Sequence, residues 1–220
     1  NPLVSALMTD IRSRHKPKAT LPLAFVSFYP VENEGIRHLA TSESWFGAQA
    51  RADELGFKIE TFVLGQDGLT EQRLDQVLRA RGISGLILGP TTEAKASIHL
   101  SWQRYAAVCI GHTINTPNLN RVSNHQFNSM RMALRRLNEL GYQRVGLALD
   151  PDTDERVDRT FSASFFAEQY EVPDANRIPI FHPQGFLDRL PDWYQSYKPD
   201  VIIGANFEIC QVVESMSIRI

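Results

Sequence analysis

The fold is decided by the stretch ALRRLNELGYQRVGLAL, residues 133–149. Apolar residues recur at three- and four-residue spacing up to Leu137, which is typical of one face of a helix. Gly141 follows, and a glycine can end a helix by taking a positive φ. The apolar run 145–149 then has the continuous character of a strand that is covered on both faces. The stretch therefore predicts a helix that passes through glycine directly into a strand.

The same order of helix, glycine and strand occurs twice earlier in the chain. Gly56 separates an apolar helical stripe from the strand 57–64, and Gly82 separates another from the strand 83–88. A first apolar strand spans residues 21–28. Consecutive units of this kind wind right-handedly into a parallel sheet with helices on both faces. The predicted fold class is therefore α/β with a parallel sheet.

A second sheet is predicted after residue 144, where strands at 145–149, 178–181 and 201–204 are more widely spaced. We expect a linker at residues 1–20, a first lobe at 21–141 and a second lobe at 142–220. A sheet of three strands with open edges is seldom stable. The second lobe is therefore expected to be incomplete in this chain.

Composition indicates a globular protein and limits its partners. The 25 acidic residues nearly balance the 23 basic ones in 220 residues, so nucleic-acid contact must be local rather than spread over the surface. The basic segment 12–18 is one candidate, although a solvated tail explains it equally well. Cys109 and Cys210 lie among apolar neighbours and are expected to be two buried thiols, which fits a reducing cytoplasm. No apolar run reaches membrane-spanning length, so no membrane contact is expected.

The sequence patterns favour binding over catalysis. The turn after the first strand has no glycine, so neither a P-loop nor a dinucleotide turn is present. The histidines have no metal-ligand spacing, and no nucleophile elbow is visible. The acidic residues between Asp150 and Glu155 are expected to form a solvated loop. We therefore expect no enzyme, no cofactor and no metal.

The candidate binding residues lie where strands end, because open α/β sheets bind ligands beyond the carboxyl ends of their strands. Ser27, Phe28 and Tyr29 end the first strand, and Asn206 and Phe207 follow the last one. Aromatic faces beside amides and hydroxyls suit a polar ring such as a sugar or nucleoside. Ordinary core packing is an equally good explanation for Phe28 and Tyr29.

Three motifs in the same order resemble the LacI/GalR (lactose-repressor) family of bacterial transcription regulators. Residues 1–7, NPLVSAL, resemble the family's hinge segment Asn-Pro-x-Ala-Arg-Ser-Leu. Residues 133–147 are similar to the crossover Ala-x-x-His-Leu-x-x-Leu-Gly-His-x-Arg-Ile-Ala. Residues 199–206, PDVIIGAN, resemble the strand whose final Asn commonly contacts the effector.

The resemblance implies two Rossmann-like lobes of the periplasmic-binding-protein type that close on a small carbohydrate-like effector. It also implies a homodimer that binds operator DNA through a helix-turn-helix head before Asn1 and through hinge residues. Those hinge residues are Pro2, Leu3, Ser5 and Leu7, with Leu7 at the position of the family's minor-groove wedge and Ser5 in place of its Arg.

The resemblance adds two candidate ligand residues, both at positions where this sequence departs from the family. Asn124 stands where an Asp is common. Arg159 lies near the position of the family's effector-binding Arg, which Phe161 occupies. Phe207 replaces the Asp that follows the ligand Asn. A more aromatic and less charged pocket follows from these departures.

Two other functions remain open from the sequence. A periplasmic sugar-binding protein would share the two-lobe architecture without contacting DNA, and the hinge motif is what argues against it. An α/β enzyme acting on a sugar or nucleoside would need a convergent acid and base. The leading interpretation is a cytoplasmic, ligand-responsive regulator, most simply a repressor.

Overall fold

The computed structural model describes residues 21–29, 39–182, 187–204 and 207–216, and for residues 39–42 and 207 it describes the backbone alone. The chain divides into two compact units, and the division along the chain falls between Ser123 and Asn124. Both units have the α/β organisation that the pattern of helix, glycine and strand predicts.

The first unit contains a five-stranded sheet in which every pairing is parallel. In spatial order its strands are β2 (Phe57–Val63), β1 (Leu21–Ser27), β3 (Gly85–Leu88), β5 (Ala106–Ile110) and β7 (Asn120–Val122). A separate parallel pair is formed by β4 (Ala96–Ser97) and β6 (Ile114–Thr116). Because the five strands are parallel, their carboxyl ends share one edge of the sheet.

Two helices cover opposite faces of this sheet: α1 (Leu39–Leu55) and α2 (Glu71–Ala80). Alternate residues of β1 enter different cores, since side chains of a strand alternate between its faces. One core joins β1 to α2 through Ala24, Val26, Leu74 and Leu78. The other joins β1 and β2 to α1 through Phe25, Ala52, Phe57 and Ile59. Short 3₁₀ turns lie at Gln66–Gly68 and Trp102–Arg104.

The predicted glycine joints are confirmed. Gly56, Gly82 and Gly141 have φ values of 78°, 66° and 94°, which place each in the left-handed region directly after a helix. This conformation lets the chain reverse and enter the next strand one to four residues later. The sequence rule that predicted the fold therefore has a direct backbone cause.

The second unit contains two parallel strands and five helices within its described residues. They are, in chain order, α3 (Gln126–Glu139), β8 (Val145–Ala148), α4 (Pro151–Arg156), α5 (Thr160–Gln169), α6 (Leu190–Tyr197), β9 (Val201–Gly204) and α7 (Phe207–Ser215). Further 3₁₀ turns lie at Asp174–Asn176 and Leu187–Arg189. Its cores pack Met130, Leu147, Leu149 and Phe165 in one cluster, and Ile178, Leu190, Trp193 and Ile209 in another.

A polar clasp holds the start of β8 to the segment before β9. The Asp200 carboxylate accepts hydrogen bonds from the backbone N–H groups of Gln143 at 2.8 Å and Arg144 at 3.0 Å. The Arg144 guanidinium donates to the carbonyl groups of Tyr197 and Lys198, at the end of α6. The clasp satisfies carbonyl groups that a helix end leaves without partners.

In the first unit a buried carboxylate, Asp75, joins α2 to the segment before β5. Asp75 of α2 accepts hydrogen bonds from the Ser101 N–H at 2.9 Å and from the Tyr105 hydroxyl at 2.9 Å. Burial alone raises the pKa of Asp75, but the bonds from Ser101 and Tyr105 and the charge of Arg79 outweigh it, so its pKa is lowered. Burial and the bond to Asp75 raise the pKa of Tyr105 to about 12.

The units divide at a different place from the predicted boundary at residue 141. The division precedes α3, because this helix packs against α5 and places Met130 in the core of the second unit. The predicted strand at 178–181 is reduced to a single bridge between Phe181 and Ala148. Pro179 lacks the N–H group that a ladder needs.

Two local predictions are wrong. The acidic run after Asp150 is a short helix, α4, and Asp154 within it is buried, so the run is not a solvated loop. Its helical start has a clear local cause, since Asp150 is the N-cap and Pro151 occupies the first turn. Cys109 is buried as expected, but Cys210 is exposed on α7.

Candidate functional site

The carboxyl edge of the first sheet begins with a tight turn after β1. Ser27 is buried, and its hydroxyl donates to the Tyr29 carbonyl at 2.7 Å while accepting from the Tyr29 N–H at 3.2 Å. The Tyr29 phenol donates to the Thr91 carbonyl at 2.9 Å. Tyr29 is therefore fixed at both its backbone and its ring, as a half-buried aromatic surface at the strand end.

Phe28 plays a different part from Tyr29. Its half-buried side chain packs against the core beneath the sheet. Core packing, the alternative to ligand contact, therefore explains the position of Phe28. Tyr29 is held by polar contacts at the edge itself.

Two threonines on neighbouring strands complete this edge, and the sequence analysis missed both. The Thr91 N–H, after β3, donates to the Thr113 hydroxyl, after β5, at 2.8 Å. The Thr91 hydroxyl donates in turn to the Glu93 carbonyl at 2.6 Å. Both threonines are buried. The signal for both is their position three residues after an apolar strand; their proximity depends on the pairing of β3 with β5.

The same edge continues to the end of β7. The His112 ring nitrogen Nε2 lies 2.9 Å from the Ser123 hydroxyl, so the turns after β5 and β7 are joined. Asn124 follows and is exposed. His125 is the N-cap of α3, and its ring accepts from the Asn128 N–H at 3.2 Å. Within the first unit, the edge thus presents the Tyr29 phenol, the His112 imidazole and the Ser123 hydroxyl, which are hydrogen-bonding groups suited to a polar ligand.

The carboxyl end of β8 in the second unit opens into a cavity of about 490 Å³. A ligand of drug-like size fits a volume in this range. The side chains that line it include Asp152, Asp154, Glu155, Arg159, Phe166 and His182. This is the strand end at which open α/β sheets bind ligands.

Arg159 reaches this cavity, but its charge is paired. Its Nε lies 2.7 Å from Glu155 Oε2, one helical turn earlier, and its side chain is largely exposed. The hydrogen bond with Glu155 raises the pKa of Arg159 above its ordinary value. Phe161, at the position expected for the family's Arg, packs against the core of the second unit. The structure therefore brings Arg159, and not residue 161, to the cavity.

A second cavity of about 420 Å³ lies at the opposite, amino end of β8, where Gln143, Val145 and Phe165 contribute to its lining. Ligands of open α/β sheets bind at the carboxyl ends of strands. The carboxyl-end cavity is therefore the candidate site of this unit.

Several predicted site residues lie outside the described residues. They are Pro2, Leu3, Ser5 and Leu7 of the hinge segment, and Asn206 at the end of β9. Phe207 begins α7, but its side chain is not described. Among the described residues, no group of three His, Cys, Asp or Glu is placed to hold a metal ion. None of the described helices is long and apolar enough to cross a membrane.

The fold is similar to that of solved transcription regulators. A LacI-family regulator from Rhizobium etli is 16% identical, with a TM-score of 0.61 over 91% of this chain and 74% of that one. The Cra dual regulator from Pseudomonas putida, in complex with fructose 1-phosphate, is 14% identical, with a TM-score of 0.58 over 92% and 75%. The lac repressor dimer, bound to operator and the anti-inducer ONPF, is 16% identical, with a TM-score of 0.62 over 100% and 75%.

No family model and no curated protein matches the sequence. At the identities of the solved structures the likeness establishes the fold. The chain therefore has the fold of the LacI-family regulators, in agreement with the sequence resemblance.

Proposed function

We propose that this chain is the effector-binding part of a ligand-responsive bacterial transcription regulator, acting in the cytoplasm as a repressor. The observation that carries the proposal is the likeness to the operator-bound lac repressor over 100% of this chain. The hinge-like sequence of residues 1–7 supports it from an independent direction. The solved structures named above are regulators, which favours this function over a periplasmic binding protein or an enzyme.

In this proposal a small polar metabolite of carbohydrate type binds at the strand-end sites. Tyr29 offers an aromatic surface, and the Ser123 hydroxyl and His112 imidazole at the same sheet edge offer hydrogen bonds. One similar structure holds fructose 1-phosphate, which shows that the fold accommodates a sugar derivative. Arg159 and Asn206 are proposed as ligand contacts, together with Ser27, Tyr29, Asn124 and Phe207.

Binding controls DNA affinity only through a difference in the ligand's affinity for two conformations of the protein. The protein is proposed to act as a homodimer, because a two-fold protein matches a two-fold operator. Leu7 is proposed to enter the minor groove, where apolar wedges kink DNA.

The test uses protein expressed from the complete gene. Fragments of the surrounding genome are screened for binding at physiological salt, and the tightest is compared with a random duplex of equal length. A regulator should bind its operator about a thousandfold or more tightly than random DNA. Equal affinity for both duplexes would overturn the proposal.

Matched variants separate operator binding from ligand binding. Leu7→Ala should weaken operator binding and leave ligand affinity unchanged, since it removes only the wedge. Arg159→Ala and Asn206→Ala should weaken ligand binding and leave the dimer intact in sedimentation experiments. Unchanged ligand affinity in both would remove these two residues from the site.

A further inference from the structure

The cavity at the carboxyl end of β8 holds an excess of negative charge. Asp152, Asp154 and Glu155 contribute carboxylates, and Arg159 contributes the one guanidinium among the lining residues. His182 is the remaining titratable lining residue. The three carboxylates outnumber the one guanidinium and the one imidazole, so the cavity carries more negative than positive groups.

The cation that would bind an anionic ligand is already paired. Arg159 is held by Glu155 at 2.7 Å, in the i, i+4 arrangement. A phosphate that bound the Arg159 fork would have to displace this carboxylate or approach it closely. Like charges in a partly enclosed site repel, and they are screened less there than in bulk water.

The start of α5, at this cavity, is also occupied by a carboxylate of the chain itself. Helix N-termini are ready sites for phosphate because their first N–H groups lack partners. At the start of α5, the buried carboxylate of Asp154 accepts from the Ser162 N–H at 3.2 Å, and both residues line the cavity.

We propose that this site takes a polar ligand without an anionic group, such as a neutral or amine-bearing sugar, and discriminates against phosphate esters. The proposal rests on the proposed function and specifies its ligand class. Asp154 and Glu155 are the specificity-determining residues, because each occupies a group that would otherwise bind phosphate. The Cra regulator, whose fold is similar, is in complex with a phosphate ester, so its ligand class differs from the one proposed for this chain.

The first experiment uses inorganic phosphate as the probe and the His182 ring as the reporter. His182 lines the cavity, and its NMR signal is assigned by comparison with a His182→Gln variant. The wild-type signal should show no saturable shift with phosphate. Glu155→Gln frees Arg159 and removes one negative charge, so its phosphate affinity should rise about tenfold.

Glu139→Gln is the matched control. Glu139 pairs with Arg136 at 3.0 Å on the exposed face of α3, so the variant makes the same chemical change away from the cavity. It should leave the His182 response as in the wild type. Equal, saturable phosphate binding in the wild type and in Glu155→Gln would overturn the proposal. The Arg136–Glu139 pair is exposed and contributes little stability, and Gln keeps the shape of the partly buried Glu155 side chain, so both variants should fold.

The second experiment compares matched ligands by calorimetry: glucose, glucosamine and glucose 6-phosphate, and fructose with fructose 1-phosphate. The proposal expects the unphosphorylated member of each set to bind more tightly, and the phosphate ester to gain affinity in Glu155→Gln. Tighter binding of phosphate esters by the wild type would overturn the proposal while leaving the regulator function intact. Loss of specific DNA binding with the ligand preference retained would overturn the regulator function alone.

Discussion

Gly146 makes the sharpest structural prediction, because it lies in β8 beneath an indole ring. A Cβ atom placed on Gly146 would lie 2.5 Å from Trp193 Cη2 and 3.2 Å from Pro199 Cβ. Carbon atoms normally approach to about 3.5–4.0 Å, so the ring would have to move by about 1 Å. Trp193 is not free to do so, since its Nε1 donates to the Pro179 carbonyl at 3.0 Å and its ring contacts Phe181.

Gly146→Ala should therefore destabilise the second unit. Overpacking of a well-packed core lowers the free energy of unfolding by about 1–3 kcal/mol. Replacing glycine also reduces the conformational entropy of the unfolded chain, which raises the free energy of unfolding by about 0.5–1 kcal/mol. The expected net loss in free energy of unfolding is about 1–2 kcal/mol. Urea titration followed by the Trp193 indole N–H signal measures it, because Trp45 and Trp102 belong to the first unit.

Gly47→Ala is the matched control. Gly47 lies on α1 of the first unit with no atom within 4 Å of an added Cβ. This variant should stabilise the first unit by about 0.5–1 kcal/mol through helix propensity, read from the Trp45 and Trp102 signals, and should not lower the stability read from Trp193. Trp193→Phe removes the clashing atom, so it should relieve the cost of Gly146→Ala in a double-mutant cycle, for which unfolding of all four proteins is followed by a backbone amide signal of β8 instead of the indole. A Gly146→Ala protein as stable as the wild type would refute the reasoning.

Three further substitutions test the polar contacts. Asp200→Asn should cost about 1–2 kcal/mol in urea unfolding, because it weakens a charge-assisted clasp to two backbone N–H groups. Thr113→Val should cost about 1–3 kcal/mol and weaken ligand binding, because it leaves the buried Thr91 N–H without its acceptor. Because the pKa of Asp75 is lowered by folding, its stabilisation is present above the ordinary carboxyl pKa of 3.8 and is lost as the pH falls below it. Asp75→Asn should therefore flatten the fall in unfolding free energy between about pH 5 and pH 2, and an unchanged slope would contradict this assignment.

The sequence predicted those features of the fold that depend on neighbours along the chain. Gly56, Gly82 and Gly141 have the predicted conformation because a helix end and a strand start determine it locally. The N-cap at Asp150 was also available from sequence, since Asp followed by Pro is a helix-start signal. The charged run after Asp150 points instead to a solvated loop, and the burial of Asp154 depends on contacts outside the run.

Long-range pairings account for what the sequence could not predict. Thr91 meets Thr113 only because β3 lies beside β5, an order that periodicity does not give. Residue 146 is a glycine because the ring of Trp193, 47 positions later in the chain, leaves no room for a Cβ atom. The pairing of Arg159 with Glu155 is local, yet the register that brings residue 159 rather than 161 to the cavity depends on how α5 packs.

Thermodynamic linkage between ligand and operator is the most direct test of the central claim. The affinity of the full-length protein for its operator is measured with and without a saturating sugar ligand, and the affinity for that ligand with and without operator. A ligand-responsive regulator must show the same factor in both directions, typically about 5- to 150-fold. Ligand binding that leaves operator affinity unchanged would contradict the account.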